Sequence, residues 1–240
     1  MISCILIVCG CHQEGLRYLM HIYIIAQYLN LQGPGEDRFL KLGRYLTGQG
    51  DKVTIFTGTG GVDFSLNRKK IGLYQDSGIT MVVLNAPYRQ QMNNLQKLRS
   101  YMKFSRMVGR QGRLLPKPDL LLVSTPPLST VIPAVRLKKE YNIPLVVEVR
   151  ELWPDALIQR GTLKNRLLIK GARNLEQMAY REAKLIIAAG VGIGEAVKNC
   201  PVEGAKIATI PDGLAETDLL QRYKEAMSNL RSSHKKNDEL

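Results

Sequence analysis

The chain has 240 residues, 45% hydrophobic and 23% charged, an ordinary globular composition that fits one large or two small domains. No run approaches the ~18 consecutive apolar residues that a membrane-spanning helix needs. The net charge of +13 favours an anionic partner such as phosphate groups, nucleic acid or an acidic membrane face; the alternative is diffuse solubilising charge, so the positions of the basic residues have to decide.

The first residues, Ile2 to Cys9, are apolar but short, with no Lys or Arg before them, which makes a poor secretory signal. Cys11 after Val8-Cys9-Gly10 only faintly resembles a lipoprotein cleavage site. Residues 1–19 are expected to be an extension outside the fold, as an upstream start codon would produce. The four cysteines, Cys4, Cys9, Cys11 and Cys200, match no zinc spacing; with His12 the first three could bind a metal, but a reduced, cytoplasmic chain is the simpler reading. The closing Asn237-Asp-Glu-Leu240 is similar to an endoplasmic-reticulum retention signal, which without a signal peptide has nothing to act on.

From Met20 onward, apolar runs alternate with helix-period segments. Strands are predicted at His21–Tyr28, Lys52–Thr57, Ile79–Leu84, Asp119–Ser124, Pro144–Val149, Lys184–Ala189 and Lys206–Ile210. Helices are predicted near Arg38–Gly48, Asn93–Arg110, Ser129–Tyr141, Leu163–Glu182 and Val191–Asn199. Phe39, Leu42, Gly43 and Leu46 recur at helical spacing in the first helix, as a face packed on a sheet requires. Leu163, Leu167, Leu168, Gly171, Leu175 and Met178 do the same in the fourth. Strand–helix alternation with buried strands predicts an α/β fold, a Rossmann-like, doubly wound and mostly parallel sheet. No internal repeat is visible.

Between the first strand and first helix, Gly33 and Gly35 permit close backbone approach, and Asp37 can cap the helix. Free amides there would suit a phosphate or a sugar hydroxyl; a turn that merely needs glycines is the equal alternative. A second cluster, Gly190-Val-Gly-Ile-Gly194, precedes the last helix and reads as a tight turn lining the sheet edge. Neither loop has the three-glycine dinucleotide fingerprint, so a dinucleotide-binding Rossmann enzyme stays only as an alternative.

No acidic residue occurs from Tyr88 to Lys117. Arg99, Lys103, Arg106 and Arg110 are interleaved there with apolar residues, and Leu95, Leu98 and Met102 share one helical face. The segment reads as a basic amphipathic helix able to lie on an anionic membrane surface, against the alternative of a sheet-packing helix with a solvated basic face. Nucleic acid would also suit the charge, but no helix-turn-helix spacing, RNA-binding aromatic signature or zinc finger accompanies it.

The stretch Val146-Val-Glu-Val-Arg-Glu-Leu-Trp-Pro-Asp155 begins as a buried strand and breaks into charges, the only tryptophan and a proline. Ligands of open α/β sheets bind outside the carboxyl ends of the strands, so this end looks like the edge of a site. Pleat alternation sends Glu148 and Arg150 to one side, where they can pair. Glu151 and Asp155 lie beyond, able to accept hydrogen bonds from sugar hydroxyls or to act as a general base on an attacking alcohol. Trp153 offers a flat face for a sugar ring or lipid, or an anchor for the loop.

This stretch resembles "VVEVRDLWPE" of the retaining glycosyltransferases of family 4, also called group 1, enzymes of bacterial surface-polysaccharide synthesis. Gln27–Arg38 resembles the first-strand loop of that family. Leu175–Ala183 resembles its helix ahead of the sixth strand, and Ile210-Pro-Asp-Gly213 its "IPNG" turn. The resemblance runs from Met20 to the end. Glu151 stands in place of the usual aspartate, Asp212 in place of asparagine, and Gly190 where serine is frequent.

The resemblance implies a GT-B architecture, in which two Rossmann-like domains face each other across a cleft. The first receives the acceptor, and the second binds the nucleotide-sugar donor through a spaced pair of glutamates and a diphosphate-binding loop. It implies that residues 20–216 form the acceptor-side domain and that 217–240 form a helix and linker toward a C-terminal donor domain, which needs on the order of a hundred further residues. The expected reaction is hexosyl transfer, with retention, from a nucleotide-sugar to a polyprenyl-diphosphate-linked glycan at the inner face of the cell membrane. In that reading Glu151 is the acceptor-contacting or base-like carboxylate and Arg150 an anion contact. Gly33 and Gly35 approach the donor diphosphate or the acceptor, with Asp155 and Gly190 as further contacts, and Trp153 shapes the loop. No metal is required, since helix dipoles and basic groups neutralise the leaving diphosphate. The 240-residue chain alone is expected to be inactive. The alternative is a non-catalytic docking domain serving a separate donor subunit or a membrane.

Overall fold

The computed structural model describes residues 19–29, 38–59, 72–89, 91–200 and 206–211. Expectations for residues 1–18, for Gly33, Gly35, Asp37 and Asp212, and for the tail from 217 lie outside the described residues. Eight strands are described: β1 (His21–Ile25), β2 (Lys52–Gly58), β3 (Gly72–Asp76), β4 (Ile79–Leu84), β5 (Leu120–Thr125), β6 (Leu145–Val149), β7 (Leu185–Ala188) and β8 (Lys206–Thr209). The helices are α1 (Arg38–Gly48), α2 (Asn94–Leu114), α3 (Val131–Tyr141), α4 (Asp155–Gln159), α5 (Arg166–Glu182) and α6 (Val191–Lys198).

The strands form one sheet in the order β3-β4-β2-β1-β5-β6-β7-β8. Every pairing is parallel except β3 with β4, so the mostly parallel, doubly wound sheet expected from the sequence is the observed fold. Its strands are apolar on both faces because helices or loops cover both, as parallel sheets require. In β1, Tyr23 and Ile25 face one core with Phe56, Phe104, Val108, Leu137 and Tyr180. Ile22 and Ile24 face the other, with Phe39, Leu42 and Leu46 of α1. The predicted inward face of α1 therefore packs as its spacing requires.

Two elements escaped the sequence reading. Strand β3 forms a hairpin with β4 across Ser77 (φ 51°) and Gly78 (φ 83°). Two consecutive residues at positive φ make the tight turn whose twist suits a hairpin; the Ser-Gly pair was its available signal. The short helix α4 follows directly on Pro154 and buries none of its side chains, so it has no apolar periodicity to read.

The ends of the long helices carry a correction. The apolar positions at the start of the predicted Leu163–Glu182 helix do not pack on the sheet. Helix α5 starts at Arg166, capped by Asn165 Oδ1, which accepts from the amides of Leu167 and Leu168 at 2.9 and 3.2 Å. Its buried residues are Glu176, Ala179 and Tyr180, while Leu167 is 79% exposed. Length is the reason: 17 residues of helix span ~25 Å, whereas the four to five residues of β6 and β7 span only ~13–17 Å. The first turns overhang the sheet. Helix α2, capped by the reciprocal Asn93–Gln96 box at 2.9 and 3.0 Å, buries nothing before Ser100 and overhangs at the same edge.

Candidate functional site

The connections from β1 and β5 leave in opposite directions, β1 toward β2 and β5 toward β6. That divergence opens a crevice at the carboxyl ends of the strands, where α/β sheets bind ligands. A cleft of about 410 Å³ lies there. It is lined by Ala26 and Tyr28 after β1, Ser124 and Pro126 at β5, Arg150 and Glu151 after β6, and Ala189 after β7. Gly58, at the same end of β2, is needed for close approach. A Cβ there would stand 2.9 Å from the Ala86 carbonyl and 3.1 Å from that of Gln27.

Beneath the cleft, Glu148 is fully buried. The Ser124 hydroxyl donates to its Oε2 at 2.8 Å, and Arg38 Nη1 stands 3.0 Å from its Oε1, an ion pair by distance though not aligned as a hydrogen bond. The expected pairing of Glu148 with Arg150 is not the arrangement found. Arg38, the first residue of α1, is the cation that meets Glu148. Arg150 itself reaches solvent at the cleft mouth, its amide donating to the Thr125 carbonyl at 3.0 Å.

Glu151 is held at both oxygens. Oε2 accepts from the Trp153 indole N–H at 2.8 Å, and Oε1 makes a close ion pair with Arg160. A carboxylate offers about four acceptor positions, so these contacts orient it and leave room for a ligand hydroxyl. The indole thus ties Trp153 to Glu151 within the loop. Asp155 turns from the cleft, its Oδ1 meeting Arg173 Nη2 at 2.6 Å, and so joins the crest loop to α5. Gly190 stands before α6 in extended backbone, and a Cβ there would meet nothing within 4 Å.

An aromatic wall went unread in the sequence. Tyr28, Tyr88, Tyr101 and Trp153, from four separate segments, converge with ring centroids 4.5 Å apart for Tyr28–Tyr88, 6.0 Å for Tyr88–Tyr101 and 6.1 Å for Tyr101–Trp153. The Lys97 ammonium lies 5.7 Å from the Tyr88 ring centre. Burial raises the Tyr28 hydroxyl far above the ordinary tyrosine range and pushes Tyr101 up to about 12. Both therefore remain protonated through neutral pH. Behind the loop, burial raises the Glu176 carboxyl above its ordinary value, opposed by the hydrogen bond it accepts from Tyr180 at 3.2 Å.

The four basic residues of α2 expected at a membrane, Arg99, Lys103, Arg106 and Arg110, are all exposed. The helix buries Ser100, Phe104, Ser105, Val108 and Gly112 against α3, the turn before it and β4, which leaves those cations on its outward side. Among the described residues no helix is long and apolar enough to cross a membrane, and no group of His, Cys, Asp or Glu is placed to hold a metal ion.

Residues 35–213 match the family described as glycosyl transferase 4-like domain. No curated protein matches. Among solved structures, sucrose-phosphate synthase from Thermosynechococcus elongatus superposes with a TM-score of 0.55 at 13% identity, covering 81% of this chain and 48% of that one. UGT89C1 of Arabidopsis thaliana, complexed with UDP-L-rhamnose, gives 0.53 at 13% identity, covering 84% and 51%. The E. coli structure described as trehalose-6-phosphate bound with UDP-2-fluoro glucose gives 0.56 at 11% identity, covering 90% and 54%. The chain thus spans about half the length of these three chains, and at such identities the likeness is one of fold: a GT-B, Rossmann-like domain.

Proposed function

The chain belongs to the glycosyl transferase 4-like domain family, and from that premise we propose that it is the acceptor side of a glycosyltransferase. The complete enzyme moves a hexose, with retention, from a nucleotide-sugar to a polyprenyl-diphosphate-linked glycan. It does so together with a donor-binding C-terminal GT-B domain or a separate donor subunit. The observation that carries this reading is the cleft at the β1/β5 divergence, where Arg150 and Glu151 stand side by side. In the reaction, the acceptor hydroxyl oxygen bonds to the anomeric carbon as the bond from that carbon to the diphosphate breaks. Glu151, oriented by Arg160 and Trp153, accepts a hydrogen bond from the acceptor hydroxyl and takes up its proton as the new bond forms. Arg150 offsets negative charge at the mouth of the cleft.

The test supplies the chain with a donor domain, fused or mixed, and follows transfer from nucleotide-sugars. Glu151→Gln and Arg150→Ala are each expected to lower kcat/KM by roughly a hundredfold, the scale of losing one preorganised transition-state contact, with Tm shifted by a few degrees at most. Absence of transfer from every nucleotide-sugar by the unaltered pair overturns the reading.

The same reading places the protein on the cytoplasmic side of the cell membrane as a peripheral protein, supported by the outward cations of α2. Neutralising Arg99, Lys103, Arg106 and Arg110 to Gln is expected to weaken co-sedimentation with anionic vesicles at least tenfold, given up to ~1 kcal/mol per basic residue at such a surface. Unchanged binding refutes it.

A further inference from the structure

The aromatic wall stands outside both hydrophobic cores. Tyr28, Tyr88, Tyr101 and Trp153 pack on one another, while the two cores are filled by other residues. Each of the four is partly exposed, so the wall is not explained by the packing of the sheet. It is nevertheless fixed from behind. Gln27 and Ser100, which precede two of its members, are buried and joined by a hydrogen bond, Nε2 donating to Oγ at 3.2 Å. That bond holds the chain after β1 against α2. Tyr28 and Glu151 both line the cleft, and Trp153 is bonded to Glu151, so wall and cleft form one continuous surface.

The chemistry of this surface selects its ligand. The Tyr28 hydroxyl is buried, and burial keeps both Tyr28 and Tyr101 protonated, so the wall offers neutral rings. Trp153 adds a geometric condition. An indole N–H donates in the plane of its ring, so the 2.8 Å hydrogen bond to Glu151 Oε2 sets a carboxylate at the edge of an aromatic face. A pyranose uses both parts: its C–H face lies on the ring, and its equatorial hydroxyls project toward the edge, where a carboxylate accepts from them. An isoprenoid tail would gain from the ring faces but would desolvate the carboxylate without giving it a donor. It would also meet the Lys97 ammonium, 5.7 Å from the Tyr88 ring centre.

We propose that the wall is a sugar subsite, in which a pyranose ring of the acceptor glycan stacks on Trp153 and Tyr101 while a hydroxyl at its edge is held by Glu151. The inference rests on the acceptor-side reading and deepens it, because it states which part of a lipid-linked acceptor occupies the cleft: the sugar to be extended, not the lipid. It also gives Tyr101, which no sequence motif marks, a part in recognition.

Trp153 is the only tryptophan of the chain, so its fluorescence reports on the subsite directly. The experiment titrates the full chain with methyl glycosides of the common hexoses and 2-acetamido-hexoses, and separately with farnesyl diphosphate. At least one glycoside is expected to shift the emission saturably, with a Kd on the order of 1 mM, the scale for a ligand of about a dozen non-hydrogen atoms. Tyr101→Leu should weaken that binding about tenfold, the loss of one stacked ring, whereas Tyr101→Phe should stay within about twofold. Trp153→Leu, which removes the reporter and is read on the sugar by saturation-transfer NMR, should weaken it as much as Tyr101→Leu. Tyr45→Leu, at an exposed tyrosine of α1 outside the wall, should change it less than about twofold. No response to any glycoside, equal affinity in Tyr101→Leu, or a Tyr101-dependent response to farnesyl diphosphate alone overturns the proposal. No nucleotide-sugar enters the experiment, so absence of sugar binding and absence of transfer by the complete enzyme are separate results.

Discussion

Replacing Glu148 by alanine is expected to destabilise the protein by about 3–5 kcal/mol, seen as a fall in Tm of roughly 10 °C for a chain of this size. The carboxylate is fully buried and lies between the Ser124 hydroxyl of β5 and the Arg38 guanidinium of α1. Its removal takes a partner from a cation whose side chain is only 16% exposed and from a buried hydroxyl, and each deprived group pays a desolvation cost. Glu148→Gln keeps an acceptor for Ser124 and should cost less than half as much. Arg38→Met combined with Glu148→Leu should recover most of the loss, because an apolar pair of similar volume needs no compensation. Thermal and urea melts of the three variants decide the matter. A Glu148→Ala protein as stable as the parent would show that the pair is not what joins α1 to the sheet.

The second large effect lies on α2, where the two faces of one helix should respond very unequally. Phe104→Ala is expected to cost about 3–5 kcal/mol, the transfer energy of the ring plus the cavity it leaves, since Phe104 is fully buried among Tyr23, Phe56 and Val108. Leu98→Ala, on the outward face, should change stability by no more than ~0.5 kcal/mol. Urea midpoints at constant slope are the measurement. Comparable losses at the two positions would mean that the helix is not seated on the sheet through Phe104.

Of the two alternatives that the residues left open for this helix, the fold shows a packed helix with a solvated basic face. Leu95, Leu98 and Met102 were read as its apolar face, yet the residues it buries are Phe104 and Val108 together with Ser100, Ser105 and Gly112, turned toward α3 as well as the sheet. Small residues fill much of that inner face because α2 lies close to its neighbours: a Cβ at Gly112 would stand 2.9 Å from Leu137. Hydrophobicity alone cannot find such a face, because close packing here uses residues with little apolar surface. The same blindness hid the aromatic wall. Tyr28, Tyr88 and Tyr101 are spread over seventy-odd residues of sequence and meet only because β1, β4 and α2 end or begin at one edge.

Read alone, the residues established the strand–helix alternation, six of the eight strands to within a residue or two at each end, and the suspicion attached to Arg150–Asp155. They could do so because a parallel sheet must be apolar on both faces and its strands must stop where charge begins. Where each of those charges points was decided by tertiary structure. Glu148 looked like a partner for Arg150 and became the buried counter-ion of Arg38, while Glu151 was fastened by Trp153 and Arg160 at the mouth of the cleft. Asp155 was turned toward Arg173. The fate of the apolar positions of α5 was likewise tertiary, since periodicity records that a helix has an apolar stripe but not how far the sheet beneath it extends. The leucines past that limit are left facing outward at the cleft.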